Sequence, residues 1–372
     1  MSFFSEIERK DHEQVVFCSD KSVGLRAIIA IHNTSLGPSL GGTRMWMYAN
    51  DDEALRDVLR LSRGMTYKAA IAGLNLGGGK AVIIGDPHKD KSEALFRIYG
   101  RFVEGLGGRY ITAEDVGTTV RDMEWVRMET KYVTGTSESQ GGSGDPSPVT
   151  AYGVYVGMKA CAGEVCGNDS LKGKIVAVQG AGNVASYLCT HLAKEGVRLY
   201  VTDIYEDKAK ALAKRVKATF VKPNAIYDVK ADIFAPCALG GILNDETIPR
   251  LKAKIVAGGA NNQLLDEKKH MQMLIERKIH YAPDYAINAG GLINVCNELE
   301  GYNQEKALKQ AEGIYDILKA IFKLAKDEKI PTSVAANRLA EARINRIAKI
   351  KHIYASKSEF TGRLGEMNSK GR

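Results

Sequence analysis

Lys68 and Lys80 stand where a soluble chain seldom puts a charge. They lie in the stretch 64–80, GMTYKAAIAGLNLGGGK, among Ala, Ile, Leu and Gly rather than beside acids. Burial disfavours the charged form of a lysine, and a second cation nearby acts in the same direction. A pair of this kind is therefore a candidate for proton transfer near neutral pH. The plainer alternatives are a Lys68 that snorkels from a helix surface and a Lys80 that follows a turn. The run Gly77, Gly78, Gly79 favours the site reading, since glycines let a backbone come close to a small ligand. A third group is Asp115, at the carboxyl end of the strand-like RYITAEDV. Open α/β sheets place ligands at such strand ends, and a carboxylate there can pass a proton beside an ammonium. Its alternative is a cap for a helix beginning around Thr118.

A second group of residues suits a dinucleotide. Between the strand-like KIVAVQ and the helix-like SYLCTHLAKEG lies Gly180-Ala181-Gly182-Asn183-Val184-Ala185, followed by Ser186. This is G-x-G-x-x-A in the strand-to-helix setting that makes the pattern informative. Gly180 permits the tight turn, Gly182 lets a pyrophosphate reach the backbone, and Ala185 allows close helix packing. The helix N-terminus adds partial positive charge. RLYVTD then ends in Asp203, about 20 residues beyond the first glycine, where an acid binds a ribose diol. A carboxylate there repels a 2′-phosphate, so NAD is favoured over NADP.

The elements that must position these residues alternate. Residues 14–32 give two β-rich runs around Asp20-Lys21-Ser22, a hairpin that starts a sheet. Residues 33–48 are rich in glycine yet apolar, and read as a loop facing a pocket, or else as a bulge. Asn50 and the acids after it open a helix carrying Leu55, Val58, Leu59 and Ser62 towards Lys68. A buried strand AVIIGD, a helix ending at Gly107-Gly108 and the strand bearing Asp115 follow. The polar stretch 132–148 reads as a boundary. Beyond it come a helix over 150–165, the glycine fingerprint, a helix over 207–216, a strand and turn over 231–241, a helix and strand over 245–263, and a strand and loop entering a helix over 280–295. A helix with Ile314, Ile317, Leu318, Ile321 and Phe322 is core, and Pro331 breaks it. The segment with Ile344, Ile347 and Ile350 is amphipathic, and 356–372 reads as a frayed basic end. The expected fold class is α/β with two domains. Residues 1–134 form a mixed-sheet first domain, to which the terminal helix 335–372 returns. Residues 135–334 form a Rossmann-type dinucleotide-binding domain.

Composition narrows the class. The 372 residues carry a net charge of +8, but the basic excess lies in the last third and is not interleaved with aromatics, so no nucleic-acid partner is expected. The N-terminus is too charged for a signal peptide, no apolar run reaches membrane-spanning length, and the cytoplasm is the default. Six scattered cysteines read as reduced, and no His/Cys spacing suggests a metal.

Taken together, GLNLGGGKAVIIGDP, RYITAEDVGT, VAVQGAGNVA, GGANNQL and YAPDYAINAGGLINV resemble the glutamate/leucine/phenylalanine/valine dehydrogenase superfamily, over nearly the whole chain and most strongly its leucine-type members. The resemblance implies NAD-dependent oxidative deamination of an L-amino acid to a 2-oxo acid and ammonia, reversible as a reductive amination. By the same resemblance, Lys68 would hold the substrate carboxylate, Lys80 would act on the amine and the attacking water, and Asp115 would pass protons. Asn261 or Asn262 would orient the substrate amine near the nicotinamide. Thr150 and Ala238 would contact the cofactor, and Gly41 would line the substrate site. The specificity positions would be Leu40, Ala113, Leu292 and Val295, all apolar. Burying a γ-carboxylate against them without partners is prohibitive, which points to branched-chain substrates, namely leucine, valine and isoleucine. Leu292 stands where leucine-type relatives more often have Val, tilting preference towards smaller side chains. The resemblance also implies that residues 1–134 are the substrate-binding and oligomerisation domain, with a cleft between the two domains, and that the chain forms a homo-oligomer, commonly an octamer. A 2-hydroxy-acid dehydrogenase would want a His-carboxylate relay, and no His stands in a matching motif.

Overall fold

The computed structural model describes residues 3–350, and the chain in it forms two compact units. The first comprises the described residues up to Gly144, together with Val295–Asn303 and the last helix from Ala340 onward. It opens with helix α1 (Phe3–Arg9) and a hairpin of β1 (Gln14–Asp20) and β2 (Leu25–Asn33), as the turn residues predict. Then come β3 (Ser39–Trp46), α2 (Asp51–Ile71), β4 (Gly77–Ile84), α3 (Glu93–Glu104), β5 (Tyr110–Glu114) and α4 (Val120–Arg127). The sheet is mixed, in the order β1-β2-β4-β3-β5, with β3 parallel to both β4 and β5.

Strand alternation gives this sheet two buried faces. On one, Ile28, Ala30 and Val82 pack against Ala54, Leu55, Val58 and Leu59 of α2. On the other, Ile29, Ile31, Ala81 and Ile83 pack against Leu95, Phe96 and Met123 of α3 and α4. Helix α2 starts where expected, with the Asn50 side chain accepting from the Glu53 amide at 2.9 Å.

The stretch 33–48 corrects the loop expectation, because half of it, Ser39–Trp46, is β3, an inner strand. Its glycines are there for close approach between strands. A Cβ on Gly41 would lie 1.8 Å from the Gly79 carbonyl oxygen, and one on Gly42 would lie 2.8 Å from the Asp115 Cβ. The run 77–79 needs the same correction. It belongs to β4, and protein rather than ligand occupies the space beside each glycine. An added Cβ would meet the Asn33 carbonyl oxygen at 2.0 Å, the Thr66 backbone at 2.0 Å and the Tyr110 ring at 2.7 Å, in turn.

The second unit comprises Asp145–Asn294 and Gln304–Leu339. Its elements are α5 (Ser147–Cys166), β6 (Ile175–Gln179), α6 (Asn183–Lys194), β7 (Arg198–Thr202), α7 (Glu206–Val216), β8 (Thr219–Phe220), β9 (Ile233–Pro236), β10 (Ile255–Val256), α8 (Glu267–Glu276), β11 (His280–Tyr281), α9 (Asp284–Ile287), the first half of α10 (Gly290–Glu298), which from Val295 counts with the first unit, α11 (Gln304–Glu312) and α12 (Ile314–Glu328). All six strands are parallel, in the order β11-β10-β9-β6-β7-β8. That is the doubly wound order, reversing at β6, where the glycine fingerprint begins.

Residues 245–263 depart from the expected helix and strand. They hold one 3₁₀ turn, Ile248–Arg250, and the two-residue β10. Pro249 removes an amide, and the Asn244 side chain takes the Glu246 and Thr247 amides at 3.0 and 3.1 Å, so a local turn competes with the helix. Helix α8, capped by Asp266 on the Lys269 amide at 2.8 Å, lies in a stretch to which sequence reading assigned no element. Helix α13 (Thr332–Ile350) closes the described chain, and the expected basic end at 356–372 lies outside the described residues.

Candidate active site

In the first unit the lysine site is built on the sheet face that α2 covers. Leu40 pairs with Gly78 and Ile111, Gly42 with Ala113, and Lys80 with Ala30. Period-2 alternation therefore puts Leu40, Arg44, Lys80 and Ala113 on one face, with Asp115 one step past the end of β5. Lys80 is only 5% exposed, so its ammonium needs a partner inside the protein. It finds one in Asp115, whose Oδ2 lies 3.1 Å from Nζ. Arg44 Nε donates to the same oxygen at 3.0 Å, while its Nη1 reaches Asp57 at 3.0 Å. Burial pushes the Asp115 carboxyl up, but the charges of Lys80 and Arg44 outweigh it, and the net displacement is downward. Asp115 is no helix cap. Thr119 fills that role on α4, in a capping box with Asp122.

Lys68 sits half-buried near the end of α2. Thr66 on α2 abuts Gly78 on β4, so each lysine lies two residues beyond a fixed contact between helix and strand. The end of α2 is tied down by α13. Arg343 donates to the carbonyls of Gly73 and Leu74 at 3.0 and 2.6 Å, and Tyr67 donates to Glu341 at 2.7 Å. Gly41 contributes its carbonyl oxygen to the Tyr110 hydroxyl at 2.6 Å. Sequence reading missed Arg44 and Asp57. The available signal was the i, i+2, i+4 series Leu40, Gly42, Arg44, legible only once 39–46 is read as a strand.

In the second unit the dinucleotide elements meet at the end of β6. Gly180 has φ +112°, and a Cβ there would lie 2.7 Å from the Cys237 carbonyl oxygen and 3.1 Å from the Ala238 amide nitrogen. Gly182, Asn183 and Val184 lead into α6, whose first turn has no side-chain cap. A Cβ on Gly182 would meet no protein atom within 4 Å. Bare backbone with uncapped N–H groups suits a pyrophosphate. Ala185 is buried under the turn, and the Ser186 amide closes the first helical bond onto the Gly182 carbonyl at 2.9 Å. Asp203 accepts from the Ala181 and Tyr205 amides at 2.7 and 2.8 Å, which orients its carboxylate just past β7.

Thr150 lies in the first turn of α5, with its hydroxyl on the Pro146 carbonyl at 2.9 Å. Gly290 and Gly291 open α10 directly against Val149 and Thr150. Asn261 accepts from the Asn288 side chain at 2.7 Å, and Asn262 takes a left-handed φ of 49°. Leu292 and Val295 stand one turn apart on α10, and Leu292 is buried.

Comparison with known proteins agrees with both halves. The family described as Glu/Leu/Phe/Val dehydrogenase, dimerisation domain, matches residues 12–132. The companion Glutamate/Leucine/Phenylalanine/Valine dehydrogenase description matches 141–203 and 200–352. The chain belongs to this family. It is similar to the leucine dehydrogenase of Geobacillus stearothermophilus, with 62% identity over 94% of this chain and 95% of that protein. The phenylalanine dehydrogenase of Lysinibacillus sphaericus is 53% identical over 90% of this chain and 89% of its own length. The crystal structure of L-tryptophan dehydrogenase from Nostoc punctiforme superposes with a TM-score of 0.83 at 51% identity, covering 93% of this chain and 99% of that one. The protein is thus an amino-acid dehydrogenase, and its doubly wound unit implies a nicotinamide dinucleotide cofactor. Among the described residues no helix is long and apolar enough to cross a membrane, and no group of three His, Cys, Asp or Glu side chains could hold a metal.

Proposed function

We propose that this dehydrogenase carries out the NAD-dependent oxidative deamination of branched-chain aliphatic L-amino acids, leucine together with valine and isoleucine. The products are the 2-oxo acid and ammonia, and the reaction runs in reverse as a reductive amination. One observation carries this reading: an ion pair between buried Lys80 and half-buried Asp115 on the sheet face that also bears apolar Leu40 and Ala113. Lys68 holds the α-carboxylate. Lys80 and Asp115 move protons at the substrate nitrogen and at the water that replaces it. Asn262 orients the amine. The dinucleotide supplies the hydride acceptor, and the residues that would hold it are the turn from Gly180 to Ser186, Asp203, Thr150, Ala238 and Asn261. The Asp203 carboxylate disfavours a 2′-phosphate, which supports NAD over NADP.

Relatives more than half identical are named for leucine, phenylalanine and tryptophan, so side-chain choice rests on individual residues rather than on the family. Leu40, Ala113, Leu292 and Val295 present no cation to a γ-carboxylate, which argues against glutamate. The longer side chain of Leu292 tilts preference towards valine by about 1–3 kcal/mol at most. In this reading residues 1–134, with the terminal helix, recognise substrate and build a cytoplasmic homo-oligomer, an octamer as the resemblance implies. Residues 135–334 bind NAD.

Initial rates with leucine, isoleucine, valine and phenylalanine, each with NAD and with NADP, test this by the absorbance of the reduced nicotinamide. Aliphatic substrates with NAD should be the fastest. A preference for phenylalanine or glutamate, or for NADP, would sink the assignment. Light scattering on the eluted protein reads the subunit number.

A further inference from the structure

The carboxylate of Asp115 is held asymmetrically. Lys80 Nζ and Arg44 Nε both meet Oδ2, at 3.1 and 3.0 Å, and among the described residues Oδ1 has no hydrogen-bond partner. The backbone beneath it is clamped to β3. The Asp115 amide donates to the Thr118 hydroxyl oxygen at 2.9 Å, that hydroxyl donates to the Thr43 carbonyl at 2.8 Å, and the Met45 amide donates to the Val116 carbonyl at 3.0 Å.

Arg44 is itself pinned from the other side. Asp57 on α2 accepts from Arg44 at 3.0 Å and from the Tyr48 hydroxyl at 2.8 Å through Oδ2, and from Arg60 at 3.0 Å through Oδ1. A planar guanidinium fixed on two carboxylates in this way sets direction as well as charge.

Building on the proposed role of Asp115 as proton carrier, we infer that Arg44 is a positioning residue for the deamination. It anchors Oδ2 so that Oδ1 is the oxygen that exchanges protons. A proton shed at the substrate nitrogen bonds to Oδ1, and that bond breaks again when the proton is handed to the departing ammonia, so the carboxylate is regenerated. With Oδ2 already engaged by two cations, Oδ1 is the only oxygen of the pair left to do this. Without Arg44, one cation remains and the carboxylate can rotate, exchanging the two oxygens.

The groups around Asp115 are Lys80 from β4, Arg44 from β3, Asp57 and Arg60 from α2 beyond it, and the hydroxyls of Tyr48 and Tyr110. Strand alternation sends Glu114 to the opposite face. Loss of Arg44 therefore removes a cation without bringing in another, and the acid limb of activity must move to higher pH.

The test compares the full-length wild type with Arg44→Met, Arg44→Lys and Asp57→Asn, each using NAD and the amino acid on which the wild type is fastest. The wild-type substrate panel is read first, so a wrong substrate assignment shows there and not among the variants. Arg44→Met should lower kcat about tenfold or more, leave KM unchanged, and raise the acid limb of kcat/KM by about one pH unit. Arg44→Lys should restore the limb but not the full kcat, since it returns charge without the fork. Asp57→Asn, which loosens Arg44 without touching Asp115, should lower kcat by less with KM unchanged, the loss of its own negative charge offsetting the move of the limb, and this kcat-against-KM split carries the test if Arg44→Met does not fold. Wild-type kcat and an unmoved acid limb in a folded Arg44→Met protein would overturn the inference. So would a fall in kcat with the limb unmoved, which marks a merely structural role.

Discussion

Lys80, Asp115 and Arg44 meet as side chains of opposite charge on one sheet face, whereas Gly180, Gly182 and the first turn of α6 offer bare backbone. The first arrangement depends on what each side chain is and where three strands hold it. The second depends on what side chains are absent. A site of charges is sensitive to loss of a functional group and, through the glycines that let its strands close up, to added bulk beneath it. A site of amides tolerates much substitution around it but not a methyl group on its bare turn.

The largest separation of the two should come from Lys80→Ala. Turnover should fall by about 10²–10⁴-fold, while NADH binding, followed by fluorescence titration, persists. Near-normal turnover would end the assignment of Lys80. A matched pair of glycine substitutions sharpens the contrast. Gly41→Ala forces a Cβ to within 1.8 Å of a strand carbonyl, and should lower unfolding stability by on the order of 3 kcal/mol. Gly182→Ala meets open space at a φ of −76°, so the melting temperature should hold while NADH affinity falls about tenfold. Equal stability losses in the two would refute the distinction.

The smallest effect concerns acid. In the first unit His12 and His32 form a buried edge-to-face pair, with hydroxyl partners on α2 in Ser62 and Thr66 at 2.8 Å each. Burial first, and nearby positive charge second, lowers both to about 4. In the second unit His280 alone is lowered as far, also to about 4 and by burial. Each of these histidines binds its proton more readily unfolded than folded. Stability therefore declines as pH falls from 6.5 towards 4, by at most about 1.4 kcal/mol per pH unit per histidine. Thermal unfolding of His12→Asn should show a shallower decline over that window than the wild type, and an unchanged slope would reject the pair as its source.

The chain disclosed some of this in advance. The hairpin at its start, the Asn50 cap, the strand bearing Asp115 and the whole series from β6 to Asp203 were legible because each signal lies within a few turns of the backbone it governs. The stretch 33–48 was misread, since glycines that admit a neighbouring strand look the same in sequence as glycines that make a loop. The run 77–79 was assigned to a ligand for the same reason, when its neighbours are Asn33, Thr66 and Tyr110.

Sequence by itself determined the candidate dinucleotide turn of the second unit, because a tight turn, a bare helix start and an acid at the next strand end are all set by short-range backbone geometry. It also determined which residues could carry charge at the lysine site of the first unit. Only the tertiary structure decided that Lys80 and Arg44 share one oxygen of Asp115. That depends on the register of β3, β4 and β5, and register is settled by burial and packing between segments far apart in the chain.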